Sequence, residues 1–331
     1  MDLDAYTTVH MGQWRRLDEL ARSRSLTGAE ADELIELFQT GSAQLSTIAS
    51  TVGQSAPGER LSVALSRARL RFTGAPDNLL RAVPRFLWLQ LPAALYRLRW
   101  LTLAVGVATI LIAVLLATWV NADPAVLAAL GRQADLRQLV DSQFVDYYRQ
   151  NPAASFTGQV WTNNAWIAAQ SIAFGITGVY PVVVVIQNAV NLGIDAAAMF
   201  AFGKGDVFFS YVLPHGMLEL TSIFVAAAAG LRIFWAWVAP GPRTRARSLA
   251  EEGRALFIVA IGLAMSLFVS GVIEGFVTPS YLPVWLKITI GALALAAFLG
   301  YMLVVGGRAV RAGESGDLDE NDRGATQLTA G

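Results

Sequence analysis

The segment from Trp100 to Val120, WLTLAVGVATILIAVLLATWV, contains no charged residue. A helix needs about 20 mostly apolar residues to cross a bilayer, and this run meets that length by itself. Composition points the same way. The 331-residue chain is 54% hydrophobic and 15% charged, against roughly 25% charged in a soluble domain. That balance argues against a disordered chain and against an ordinary soluble enzyme. The absence of cysteine excludes disulfide scaffolds, thiolate zinc sites, iron–sulfur clusters and cysteine nucleophiles. Formal net charge is zero, so no nucleic-acid partner is expected.

The apolar residues concentrate between residues 98 and 305. Strong runs at 256–277 and 284–304 are interrupted by Glu274 and Lys287, and a run at 217–238 holds Glu219 and Arg232. The stretch Trp161–Gly203 is twice the length of one span, with Gly175, Gly178 and Pro181 near its middle. It reads as two spans, 161–181 and 182–203, joined by a tight turn. The expectation is an all-α polytopic membrane protein with about six transmembrane helices in residues 99–305.

Arginines set the direction. Arg81, Arg85, Arg97 and Arg99 precede the first span, Arg243, Arg245, Arg247 and Arg254 sit between the fourth and fifth, and Arg308 and Arg311 follow the last. In a six-span chain these segments share one side, which places both termini in the cytoplasm and loop 122–160 outside. Met1–Tyr6 contains two aspartates and no apolar run follows, so no signal peptide is expected.

Residues 1–98 read as a helical cytoplasmic domain. Thr27 followed by Glu30 forms a capping box, Leu34, Leu37, Phe38 and Leu45 continue as a helical stripe, and Gly58–Phe72 is an arginine-rich amphipathic helix. The aromatic and basic residues of 79–98 suit a segment in the membrane interface or a helix packed under the membrane domain. Leu139–Gln150 reads as an amphipathic helix with Phe144, Tyr147 and Tyr148 at the interface, and the polar stretch 306–331 as a disordered cytoplasmic tail.

Ionisable residues inside spans cost about 2.5–3.5 kcal/mol each on insertion scales, so each one needs a reason. His215 and Glu219 are four apart and share a helix face. Pro214 suits a first helical turn, which would lend Glu219 the favourable helix start. Glu274, Asn163, Asn164 and Asp195 fall at the same outer depth of other spans, with Asn191 near mid-span and Asn188 deeper. A polar pocket open to the outside follows, lined by Asn163, Asn164, Asn191, Asp195, His215, Glu219 and Glu274. Three uses stand open: a hydrogen-bonded packing network, a ligand site, or a catalytic site in which His215, Glu219 and Glu274 hold a divalent metal. HxxxE is a common spacing, and no HExxH motif or nucleophile elbow is present. Arg232 reads as snorkelling to headgroups.

Asn163–Asn164, the glycine-rich 175–181, LPHGMLEL at 213–220, GLR at 230–232 and IEGFVTP at 273–279 together resemble the stage II sporulation protein M family. The resemblance covers about 150–305, and the N-terminal region is similar to that of longer actinobacterial members. It implies a bacterial plasma-membrane protein that anchors peptidoglycan hydrolases or other envelope proteins. In relatives it also implies coupling to a cytoplasmic AAA-type ATPase system. Its motifs fall on His215, Glu219 and Glu274. The functional expectation is a membrane scaffold for cell-envelope machinery. The alternative is an intramembrane hydrolase, or an enzyme on a lipid-linked substrate, using those three residues. A proton-coupled transporter is third, with no inverted repeat to favour it. Small-residue helix faces suit a homodimer.

Overall fold

A computed structural model describes residues 3–23, 25–53, 55–72, 83–148 and 152–317, and all regular structure among them is helical. The chain divides into two compact units, Met1–Val83 and Pro84–Gly331.

The first unit packs α1 (Leu3–Arg22), α2 (Gly28–Thr51) and α3 (Ala56–Phe72) against one another. Leu17, Leu20, Leu34, Ile48 and Leu61 form its core. The capping box is present: Thr27 Oγ1 accepts from the Glu30 N–H, and the Glu30 carboxylate accepts from the Thr27 N–H at 2.8 Å. Inside, the Trp14 indole donates to Gln44 Oε1 at 2.6 Å, and Gln44 Nε2 lies 3.1 Å from His10 Nδ1. His10 is therefore part of a packing network. Arg67 on the arginine-rich α3 pairs with Asp18 of α1 at 2.7 Å.

In the second unit α4 (Leu91–Ala122), α5 (Ala153–Ala173), α6 (Val179–Ala201), α7 (Gly205–Val238), α8 (Arg245–Val272) and α9 (Val284–Gly300) form an antiparallel bundle. A short α10 (Gly306–Arg311) follows. The centre is α7, which packs against the other five long helices. Ala226–Ala229 and Gly230 are fully enclosed, so neighbouring backbones come close there. A Cβ on Gly230 would collide with the Ser171 carbonyl of α5 and lie 2.6 Å from Pro181 of α6. Gly178, at φ +69°, makes the turn between those two helices.

Among the described residues, five stretches are long and apolar enough to cross a membrane: Val83–Ala122, Val179–Ala201, Gly205–Val238, Arg245–Val277 and Val284–Arg311. The sixth expected span differs. α5 runs over 153–173 rather than 161–181, and Gln159, Asn163, Asn164 and Gln170 lower its hydropathy. It still runs the depth of the bundle. Thr157 donates to the Gly271 carbonyl at one end, and Ser171 meets Gly230 towards the other. At 21 residues it is about 31 Å long.

Other boundaries also moved. α7 begins at Gly205, not near 217, so Pro214 lies inside the helix and Glu219 gains nothing from a helix start. Interior proline is costly because it removes an N–H donor. Here Pro214 is packed against Gly291 of α9, where a Cβ would strike the Pro214 carbonyl. The segment before the first span is not laid along an interface. From Val83 it continues through a π-turn, Phe86–Gln90, into α4, and Leu91, Leu95 and Leu98 belong to the main core. Residues 79–82, Arg81 among them, lie outside the described residues.

The arginine-bearing helix ends gather at one end of the bundle. Glu252, 4% exposed, accepts from Arg97 at 2.9 Å and Arg232 at 3.0 Å, so Arg232 is paired rather than snorkelling. Residues 306–317, expected as part of a disordered tail, are ordered. Arg254 grips Asp317 through two hydrogen bonds of 2.8 and 2.9 Å, and Arg97 donates to the Ser315 carbonyl. Carboxylates and carbonyls of this polar stretch satisfy arginines that the helix ends leave facing it. Residues 318–331 of the expected tail lie outside the described residues. Glu252→Ala leaves two arginines without their shared partner. Breaking a fully buried pair costs 3–5 kcal/mol. Both arginines are about a third exposed, so about 2 kcal/mol is expected here. Thermal unfolding of the detergent-purified protein would show it as a lower Tm.

Candidate functional site

Glu274 lies on a π-turn, Ile273–Val277, which closes the last turn of α8. π-turns that interrupt regular helices are frequent at functional sites. The extra residue per turn carries Glu274 beside α7, where His215 and Glu219 project from successive turns of one face. His215 Nε2 is 3.9 Å from Glu274 Oε1. One ligand atom from each of His215, Glu219 and Glu274 falls within 4.8 Å of the others.

The histidine is oriented from behind. Its Nδ1 lies 3.2 Å from Thr278 Oγ1, and the Thr278 hydroxyl reaches the Ile273 carbonyl at 3.3 Å. With that hydroxyl donating to Ile273, Nδ1–H donates to Thr278, and the Nε2 lone pair faces Glu274. A second-layer partner that fixes the tautomer is the usual support of a ligating histidine. Lys287 Nζ donates to the Thr278 carbonyl at 2.7 Å, and Ser270 donates to the His215 carbonyl at 3.1 Å. Asn164 and Ser270 lie beside the Glu219 side chain.

Among the described residues, Oε2 of Glu219 and Oε2 of Glu274 are buried with no hydrogen-bond partner. Two carboxylates this close in a low-dielectric interior need positive charge or a proton between them. The donor set fits a divalent ion: imidazole nitrogen and carboxylate oxygens bind zinc at about 2.0–2.2 Å. Ligand atoms around such an ion stand roughly 3–4 Å apart, so only a small inward turn of side chains closes the observed set.

The cluster opens into a cavity of about 770 Å³. All seven residues expected in a polar pocket line it: Asn163 and Asn164 from α5, Asn191 and Asp195 from α6, His215 and Glu219 from α7, and Glu274. Asn188, placed deeper, also lines it and donates to the Val184 carbonyl of its own helix. Residues 139–148 cover one side. Tyr148 is not an interface residue: it is buried, with its ring centroid 5.8 Å from that of His215. Burial first, then the Glu274 charge, pushes its phenol above the usual range, so it stays a hydrogen-bond donor. Residues 149 and 150 of the expected helix lie outside the described residues.

Sequence reasoning did not select Thr278, Ser270, Lys287 or Tyr148 for the site. Thr278 lies in the IEGFVTP motif and Lys287 interrupts an apolar span, so both carried a signal. Ser270 and Tyr148 carried none, because their roles depend on which helix they face.

The family model of stage II sporulation protein M matches residues 101–279. That is more than half of the chain and includes every member of the cluster. The chain belongs to the stage II sporulation protein M family. A second model, a domain of unknown function (DUF8413), matches residues 4–74, within the first unit. No curated protein and no solved structure matches the chain. It is a multi-pass membrane protein of the stage II sporulation protein M family that carries a buried His/Glu/Glu cluster.

Proposed function

We propose that this protein is an intramembrane, divalent-metal-dependent hydrolase, with His215, Glu219 and Glu274 as its metal ligands. The observation that carries the reading is the convergence of three ligand atoms on a cavity that leaves two buried carboxylate oxygens unpaired. A bound divalent ion supplies Lewis acidity. Thr278 and Lys287 hold the imidazole in register. The Glu274 carboxylate, through whichever oxygen the ion leaves free, would accept the proton of the attacking water. Tyr148, kept protonated, donates to the oxygen on which charge develops. Within this reading α5 is a sixth crossing, the arginine end faces the cytoplasm by the positive-inside rule, and the His/Glu/Glu cluster lies towards the other side of the plasma membrane.

A scaffold for envelope machinery is the second reading. The separately cored first unit favours it, since a hydrolase of this geometry has no need of one. As a long member of the family, the protein would then use that unit to engage a cytoplasmic partner such as an AAA-type ATPase.

The test is elemental analysis of the detergent-purified protein, before and after dialysis against a chelator. About one zinc or similar ion per chain, restored on re-addition, supports the metal centre. No bound metal under any loading condition removes the hydrolase reading and leaves the scaffold.

A further inference from the structure

The cavity has an open side, and its chemistry selects what can enter. α6 leans on α4 and α5 leans on α8, and these two helices touch each other little. Tyr180 of α6 bonds Gln170 of α5 at 2.9 Å near their turn. Beyond that bond the cleft between them is lined by polar residues that remain exposed: Asn163 on α5 and Gln187, Asn191 and Asp195 on α6. Asn163 is at the middle of α5, and Gln187 and Asn191 flank the middle of α6. These positions are at mid-depth of the bundle, where the surrounding solvent is lipid. Uncovered polar groups are costly there.

Charge narrows the occupant. Asp195, Glu219 and Glu274 line the cavity, and no arginine or lysine does among the described residues. A divalent ion offsets two of three negative charges, so a phosphate or pyrophosphate headgroup finds no cationic partner. Apart from the hydroxyls of Tyr147, Tyr148 and Tyr180, the remaining polar groups are carboxamides, each able to donate and accept. That is the chemistry of the peptide bond itself. Gln187, Asn191 and Asp195 repeat every four residues, about 6 Å along α6. An extended chain repeats every two residues, at about 6.6 Å. A membrane segment that unwinds loses its internal hydrogen bonds and must find others inside the bilayer. This cleft offers them in register.

We propose that a polypeptide segment enters sideways between α5 and α6, unwinds, and pairs its backbone with Asn163, Gln187 and Asn191, so that the bond hydrolysed is a peptide bond. This rests on the hydrolase reading above and names its substrate class. In the step, water oxygen bonds to the carbonyl carbon and the C–N bond breaks. The proton taken up by Glu274 passes to the leaving amine. Asn163, Gln187 and Asn191 are positioning residues.

The test uses the full chain in lipid nanodiscs and a fluorescent Leu/Ala transmembrane peptide interrupted by a central Gly-Pro pair. The same peptide without the interruption is the control. The interrupted peptide should bind at least ten-fold tighter, and the double variant Gln187→Leu with Asn191→Leu should erase that preference while metal content stays unchanged. Equal binding of the two peptides overturns the proposal. So does displacement of the interrupted peptide by a polyprenyl phosphate or a neutral glycolipid. So does a cross-link from position 187 to a second copy, which would make the cleft a dimer interface. Peptide preference without bound metal would retain the cleft and sink the hydrolase. Bound metal without peptide preference would do the reverse.

Discussion

His215→Ala is expected to abolish divalent-metal binding at physiological concentrations, with affinity lowered by about two orders of magnitude or more. The ligand's place in the cluster sets the size of that loss. Changes in outer-layer partners alone typically cost 10–100-fold, and His215 is the single nitrogen donor of the three. Thr278→Val should fall within that smaller range, because it removes only the group that orients the ring at 3.2 Å. Glu219→Gln and Glu274→Gln should each resemble His215→Ala, since a neutral carboxamide replaces an anionic ligand. Titration calorimetry with zinc on variants that keep wild-type helicity checks the order. If His215→Ala retained full occupancy, the ion would be held elsewhere and the cluster would be packing.

Gly291→Val unseats α9 from α7. The nearest atom to an added Cβ is the Pro214 carbonyl, and the next are the Pro214 carbonyl carbon at 2.8 Å and Cα at 2.9 Å. Backbone cannot swing aside as a side chain can. Overpacking ordinarily costs about 1–3 kcal/mol, so Gly291→Ala should reach the top of that range and Gly291→Val should prevent stable folding. The displaced residue precedes His215, so metal affinity should fall with stability in the alanine variant. Gly300, on the same helix, has nothing within 4 Å of its added Cβ. Gly300→Ala should therefore act in the opposite direction, stabilising by about 0.5–1 kcal/mol through helix propensity. Thermal unfolding of the three proteins in one detergent decides it. A stable, metal-binding Gly291→Val would mean that α9 does not pack on Pro214 as described.

The long apolar runs were legible because the bilayer imposes a length and a composition on anything that crosses it. The start of α2 was legible because a capping box is a local hydrogen-bond pattern. The polar pocket was legible from depth alone: residues at equal distance along antiparallel spans must meet if the spans pack. The start of α7 was not legible, because Pro214 resembles a helix N-terminus, whereas the folded helix carries it in its interior, packed on Gly291. The ordered 306–317 segment was hidden as well. Its polar residues match a solvated tail, and the arginines that hold it come from residues 97 and 254, far away in the chain.

The sequence by itself determined that this chain is a helical membrane protein, which residues are apolar enough to meet lipid, and which polar residues have to be hidden. Those properties follow from side-chain chemistry and the helix period. Only the tertiary structure decided that α8 ends in a π-turn, that Glu274 thereby reaches His215, and that Thr278 and Lys287 stand behind the ring. It also decided that α5 and α6 part to expose a polar cleft. The reason is geometric. A one-residue change in helical pitch turns a side chain by about 100°, and no local pattern reports which neighbour it will then face.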